Sequence, residues 1–300
     1  MIRILRWTAI AVGGVVALAG VALTAIYAVS EYRMRSSYQV PAVALSLRDD
    51  SATIAEGKHL VTIRGCIDCH RENFAGGKFL DDPLIGTIYA STLTRGVNGA
   101  ASFFTGEDWD RAIRHGVRPD GSPLLIMPAQ EFQALSDEDV AAMVAYLKSL
   151  PPVDTKPETN SVGPLGRFLE MSGKAVLVPA RRIDHAASRK AAPVPGPTQE
   201  YGAYLATSCT GCHGENLSGG AVPGMPPGTP VALNLTTDRA TGLGNWSEAD
   251  FVRALREGKK PDGSELKPPM PWKLTAQLTD DEMHALWLHL RSLPARPFKG

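Results

Sequence analysis

What this 300-residue chain has little of narrows it quickly. It holds four cysteines, all inside two five-residue stretches, so none is left over as a further metal ligand. Neither stretch is followed at zinc-finger spacing by a regular H-x3–5-H, so neither reads as a four-ligand zinc site. No βαβ pattern surrounds either cysteine pair, which speaks against a thioredoxin-like redox motif. A disulfide spanning only two residues would be too strained to act as a structural staple. Net charge is absent overall, with 31 basic against 31 acidic side chains, and no basic cluster resembles a nucleic-acid patch. Long apolar runs are absent except one, Thr8 to Val29, which is 22 residues without a charge.

The two cysteine stretches are Cys66-Ile67-Asp68-Cys69-His70 and Cys209-Thr210-Gly211-Cys212-His213. Each is C-x-x-C-H, the attachment signature of a c-type haem. The two thiols of each motif add to the two vinyl groups of one haem, and the following histidine is held beneath the iron as its proximal ligand. The chain is therefore expected to carry two covalently bound haem c groups.

An internal repeat accompanies the motifs. Cys66 and Cys209 lie 143 positions apart (209 − 66). At about that offset Asn73-Phe74-Ala75-Gly76-Gly77 matches Asn216-Leu217-Ser218-Gly219-Gly220, and Pro119-Asp120-Gly121 matches Pro261-Asp262-Gly263. Leu147-Lys148-Ser149-Leu150-Pro151 matches Leu290-Arg291-Ser292-Leu293-Pro294. The reading is two copies of one haem domain, at 51–150 and 198–294, each of ordinary domain size. Met127 and Met270 are also 143 apart (270 − 127), each just before a proline in an extended segment. That proline disfavours helix at the methionine and stiffens the loop, which suits a thioether reaching iron from the distal side. His70 with Met127, and His213 with Met270, are the expected axial pairs.

The other methionines read differently. Met143 and Met283 fall in helical patterns and fill core, Met171 has no repeat partner, and Met225 follows the second motif too closely. His59, His115, His185, His284 and His289 are unmatched across the repeat and read as surface or satisfied side chains.

Helical periodicity places a helix from about 53 to 69 and its copy from about 198 to 212. Further pairs start at Thr105 and Ser247, and at Ser136 and Thr279, all N-cap types with acidic first turns. Gly116 and Gly258 fit helix C-termini, and Pro151 and Pro294 close the last helices. The fold class is all-α. Residues 151–197 join the domains, with a short helix from Pro164 to Met171. Lys174, Arg181, Arg182, Arg189 and Lys190 make this linker basic, and it reads as a solvated segment lying across both domains.

The run Thr8 to Val29 spans about 33 Å as a helix, enough to cross a bilayer. Arg3 and Arg6 precede it, so the N-terminus is expected to stay in the cytoplasm and the remainder to be exported. Residues 1–30 are thus a single-pass anchor, or else a cleaved signal peptide with a small-residue site at Ala28-Val29-Ser30. Either reading places the haem domains in the periplasm, outside the bacterial cytoplasmic membrane, where c-type haem is attached. The segment 51–150 has 9 basic and 13 acidic side chains, net −4, which favours a basic redox partner over an acidic one.

At this point the residues resemble a family. Both halves are similar to class I cytochrome c domains, through 51–150 and 198–294. The ensemble resembles the membrane-anchored cytochrome c subunits of periplasmic alcohol and gluconate dehydrogenases. The phrases Asn234-Leu235-Thr236, Thr241-Gly242-Leu243-Gly244-Asn245-Trp246 and Arg253-Ala254-Leu255-Arg256-Glu257-Gly258 carry the likeness. Those subunits usually hold three haem domains, where this chain has two. The first half also has Ser91-Thr92-Leu93-Thr94 in place of the Asn-containing phrase. The resemblance implies two tandem class I cytochrome c domains after an N-terminal transmembrane helix.

With both axial positions filled, neither iron has an open site for substrate or oxygen. The expected function is electron transfer, with no catalytic residue of its own. The donor would be a dehydrogenase or quinol-oxidising complex, and the acceptor an oxidase or a soluble cytochrome. The alternative is a dihaem peroxidase-like oxidoreductase, in which one haem has a displaceable distal ligand and an acid–base group nearby.

Overall fold

The structure, a computed structural model, describes residues 2–187, 189, 191–226 and 228–299. Helix α1 (Ile2–Arg35) is long and apolar enough to cross a membrane, and none of its most apolar window is buried. Its last turns, past that window, are tied down. Arg167 donates to Ser30 Oγ and to Glu31, each at 2.8 Å, and lies over the Tyr27 ring.

The first helical unit begins with α2 (Ser51–Ile63), where Asp50 caps the N-terminus by accepting from the Thr53 amide. The single helix expected from 53 to 69 is in fact two. Gly65 adopts a left-handed φ of 74°, which breaks the chain before α3 (Cys66–His70). Next come a hairpin of β1 (Gly77–Asp82) and β2 (Gly86–Ala90), then α4 (Gly106–His115), α5 (Ala129–Phe132) and α6 (Asp137–Ser149). Thr105 and Asp108 form a capping box on α4, and Gly116 ends it in the left-handed region. A two-residue strand β3 (Ser161–Val162) completes an antiparallel sheet in the order β1-β2-β3. This sheet is an addition to the expected all-helical shell. Asp82 turns the hairpin by accepting from the Leu84 and Ile85 amides, a side-chain turn that helical periodicity cannot register.

Helix α7 (Pro164–Met171) lies in the linker. The second unit repeats the first: α8 (Gln199–Ala206), α9 (Thr210–His213), α10 (Glu248–Glu257), α11 (Trp272–Thr275) and α12 (Asp280–Ser292). Ser247–Asp250 and Thr279–Glu282 are capping boxes. Each unit has its own core. In the first, Leu60, Phe74, Trp109, Val140 and Val144 are almost wholly buried. In the second, Tyr201, Leu217, Phe251, Met283 and Leu286 play that part.

The linker is not the solvated segment that its charge implies. Leu177, Val178, Ala180 and Ile183 are buried, and Arg189 donates to Asp110 and Asp137 of the first unit. The Lys174 carbonyl accepts from Gly224 of the second unit. Apolar residues between the basic ones were enough to dock it. Lys190 lies outside the described residues.

The two units meet through matching contacts. The His59 ring bonds the Glu282 carboxylate at 2.8 Å, and the Tyr204 hydroxyl donates to Asp139 at 2.5 Å. Asp139 and Glu282 are both the third residue of a last helix, so one geometry is used twice. Asp139 bonds Tyr204 and Glu282 also closes its own capping box. His115, far from either motif, is buried and pairs with His185 through Nδ1 at 2.9 Å.

The His59–Glu282 pair predicts a pH dependence. Its hydrogen bond to Glu282 raises the His59 pKa, and the same bond works against the burial of Glu282, leaving that carboxyl below its ordinary value. The histidine contribution is fully present below about pH 6.5 and is lost as pH rises through the higher folded value. The carboxylate contribution is present above about pH 4.3 and is lost as pH falls through its depressed value. Thermal unfolding of His59→Gln against the parent should therefore differ most between those limits and converge in alkaline buffer. Equal differences at all pH values would contradict the ion pair.

Candidate functional site

Each C-x-x-C-H stretch is a short helical turn whose histidine is aimed by a carbonyl from a distant loop. His70 Nδ1 donates to the Ser91 carbonyl at 2.7 Å, and His213 Nδ1 donates to the Leu233 carbonyl at the same distance. With Nδ1 committed, Nε2 is the free nitrogen, which is the tautomer a metal-ligating imidazole needs. Burial lowers the pKa of both rings, which keeps them neutral and able to coordinate.

The repeated glycine pair after each motif brings the carbonyl within reach. Gly76 and Gly219 have φ of 68° and 76°. A Cβ there would lie 2.2 Å from the Ala90 oxygen and 2.5 Å from the Ala232 oxygen, one residue before the two acceptors. Only glycine permits both the φ and the approach. The Asn-containing phrase also has a role here. Asn234 is buried, donates to the Arg296 carbonyl and accepts from the Thr236 amide. Thr92 takes its place in the first unit, donating to the Ala75 carbonyl and bonding Thr155. Both versions anchor the segment whose carbonyl holds the histidine.

Cys66, Cys69, Cys209 and Cys212 are not joined in disulfides. Burial pushes the Cys66 thiol up to about 12 and the Cys69 and Cys209 thiols up to about 11, with Cys212 raised as well. That direction is opposite to the one found in a reactive redox cysteine, which is held well below its usual range. Paired cysteines, a neutral histidine oriented through Nδ1, and a thioether from a proline-stiffened loop fit a covalently held haem.

The methionine loops share one backbone shape but not one environment. In each, the methionine carbonyl accepts from the amide two residues on, at 2.7 Å for Met127 and 3.0 Å for Met270, and a short helix follows. Met127 packs on the same core as Cys66, and the linker clamps its loop through Ile126 N donating to the Leu177 carbonyl at 3.0 Å. Met270 is half-buried and lines a cleft of about 530 Å³ whose other wall is Ile67, Asp68 and Glu72 of the first unit.

That cleft reflects a cross-packing of the units. The helix after each methionine loop sits against the other unit's motif. Leu274 on α11 approaches Gly65, and Glu131 on α5 lies against Gly211. Burial pushes Glu131 up to about 7, so a carboxyl stands next to the second motif where the first has Leu274. Between the motifs lies Arg64, whose Nη1 donates to Ser208 Oγ at 2.6 Å. Neither the acceptor carbonyls, Glu131 nor Arg64 stands out in the sequence. The Gly-Gly repeat marks where the acceptor loops close, but a main-chain carbonyl has no residue signature.

Comparison with known proteins sets this geometry among relatives. The chain is 30% identical over 282 residues to the cytochrome c subunit of a quinone alcohol dehydrogenase from Gluconacetobacter polyoxogenes, covering 83% of this chain and 57% of that one. It is 28% identical over 286 residues to the gluconate 2-dehydrogenase cytochrome c subunit of Pantoea cypripedii, covering 84% and 62%. It is 24% identical over 272 residues to a dihaem c-type cytochrome of Cereibacter sphaeroides, covering 80% and 86%. The chain thus spans a little over half the length of the dehydrogenase subunits that it matches. The cytochrome c family model matches twice, at residues 54–151 and 200–294, each match enclosing one carbonyl-held histidine. By motif, geometry and these two matches, the chain belongs to the cytochrome c family.

Proposed function

We propose that this chain is a membrane-tethered dihaem cytochrome c that passes electrons singly on the periplasmic side of the cytoplasmic membrane. Its donor would be a dehydrogenase or a quinol-oxidising complex, and its acceptor an oxidase or a soluble cytochrome. The observation that carries this is the duplicated site: two motif histidines held by loop carbonyls at 2.7 Å, each with a methionine loop at the same offset. The relatives named as dehydrogenase cytochrome subunits and as a dihaem cytochrome support a carrier over a peroxidase.

Haem c supplies a one-electron iron couple. Cys66 and Cys69, and Cys209 and Cys212, would hold it. His70 and His213 would offer Nε2 to the iron, their rings fixed by the Ser91 and Leu233 carbonyls. Met127 and Met270 would supply thioether ligands. Arg64, bonded to Ser208 beside Cys209, joins the two attachment points within one polar contact. The exposed end of α1 keeps both units at the membrane.

Met ligation raises the potential relative to a second histidine. Met127→His and Met270→His should each lower the midpoint of one haem. The shift should be on the order of a hundredfold in the reduction equilibrium, about 120 mV for one electron. Visible-region redox titration of the full-length protein, with two haems per chain by haemochrome assay, is the measurement. One haem per chain, or midpoints indifferent to both substitutions, would sink the assignment.

A further inference from the structure

We propose that Arg64 is a single buried cation shared by the two haem sites, and that its charge holds both reduction potentials up. This rests on the dihaem reading above.

Arg64 lies two residues before Cys66 and is 6% exposed. Its guanidinium crosses to the second unit. There Nη1 donates to the Leu205 carbonyl and Thr207 Oγ1, each at 3.3 Å, and to Ser208 Oγ at 2.6 Å. Ser208 directly precedes Cys209. The guanidinium carbon is 5.3 Å from the centre of the Tyr204 ring. Nε and Nη2 are buried and have no partner among the described residues. Among the described residues its hydrogen-bond acceptors are all neutral oxygens. Among these residues the charge is held by those oxygens and an aromatic face.

A buried cation with no carboxylate beside it is costly to fold around. The other buried arginines both have one: Arg114 is paired with Asp110 and Asp137, and Arg167 with Glu31. Arg64 therefore needs an account beyond stability, and its position gives one. Reduction lowers the charge of a haem iron by one. A positive charge close by in a poorly screening interior favours the reduced form. The residues that precede the second motif, Ala206-Thr207-Ser208, contain no arginine, so the repeat does not supply a second cation. One side chain sits against the segments leading into both attachment sites, and both should feel it. Tyr204 and Ser208 act as positioning residues that hold the guanidinium there.

The test is potentiometric titration of the full-length, detergent-solubilised protein, following the visible bands of both haems. The variants are Arg64→Met, Arg64→Gln and Arg64→Lys. Haem content and the charge-transfer band of methionine-ligated ferric haem are recorded on each. Arg64→Met and Arg64→Gln should lower both midpoints by about tenfold or more in the reduction equilibrium, 59 mV per decade for one electron. Arg64→Lys, which keeps the charge, should stay near the parent. Should Arg64→Met fail to assemble, Arg64→Gln carries the same expectation with a neutral polar side chain at that place. Two intact methionine-ligated haems with midpoints unmoved, or with only one moved, would overturn the role given to Arg64. A parent protein with a single haem would overturn the dihaem reading and this proposal together.

Discussion

Gly202→Ala is expected to unseat the second unit. Helix α8 crosses α12 so closely that a Cβ on Gly202 would lie 1.9 Å from the Ala285 carbonyl oxygen. The first unit repeats the arrangement, with Gly57 of α2 at 1.9 Å from the Ala142 oxygen of α6. The obstacle is backbone, not the flexible end of a side chain, so the helices must move apart. Overpacking that shifts backbone costs typically about 1–3 kcal/mol, and with main chain as the obstacle the upper end applies. For a unit of this size about 3 kcal/mol is a fall in Tm of at least about 12 °C. Since α8 leads into the turn that carries Cys209, haem retention in the second site should fall as well. Calorimetry on Gly202→Ala and Gly57→Ala, each with haem quantified per chain, is the check. A change within about 0.5 kcal/mol, the ordinary surface range, would mean that the crossings are not as close as described.

Asp110→Ala is expected to cost about 3–5 kcal/mol, because it strips the buried partner from a buried arginine. Asp110 is wholly buried and Arg114 is 1% exposed. Asp110 accepts from Arg114 at 2.7 Å, from Arg189 at 2.8 Å and from the Val43 amide at 2.8 Å. One carboxylate therefore joins α4, the linker and the segment that follows α1. Asp137 remains for Arg114 at 2.6 Å, but it is half exposed and cannot replace the inner contact. Urea unfolding should show the loss of stability, and limited proteolysis should show cleavage between 184 and 198 that the parent resists. Stability near the parent with an equally resistant linker would show that the other contacts suffice.

The parts legible in sequence are those written in residue type at short range. The motifs, the caps at Thr105, Ser136, Ser247 and Thr279, and the stops at Gly116 and Gly258 all recur in the structure. They recur because a cap or a glycine stop is decided within four residues. The break at Gly65 leaves no mark in the periodicity, because the apolar spacing of α2 runs on into the motif. The hairpin leaves none either, because its turn is made by one side chain, Asp82. In the linker the charges are conspicuous while the buried Leu177, Val178 and Ile183 are scattered. His59 has no match at the simple offset, since its counterpart is Tyr204, two positions out. Only the shared carboxylate geometry reveals that match.

By itself the sequence determined the motifs: two C-x-x-C-H stretches, two proline-flanked methionine loops at one offset, and an apolar helix ahead of them. Motif spacing and helix capping depend on neighbours along the chain, so they survive as text. The tertiary structure alone decided how the two sites stand to each other. It set Glu131 against Gly211, Met270 in a cleft walled by the first motif, and Arg64 between the two attachment points. Those contacts join residues more than 60 positions apart, where burial and unpaired charge are properties of packing and not of any one stretch of chain.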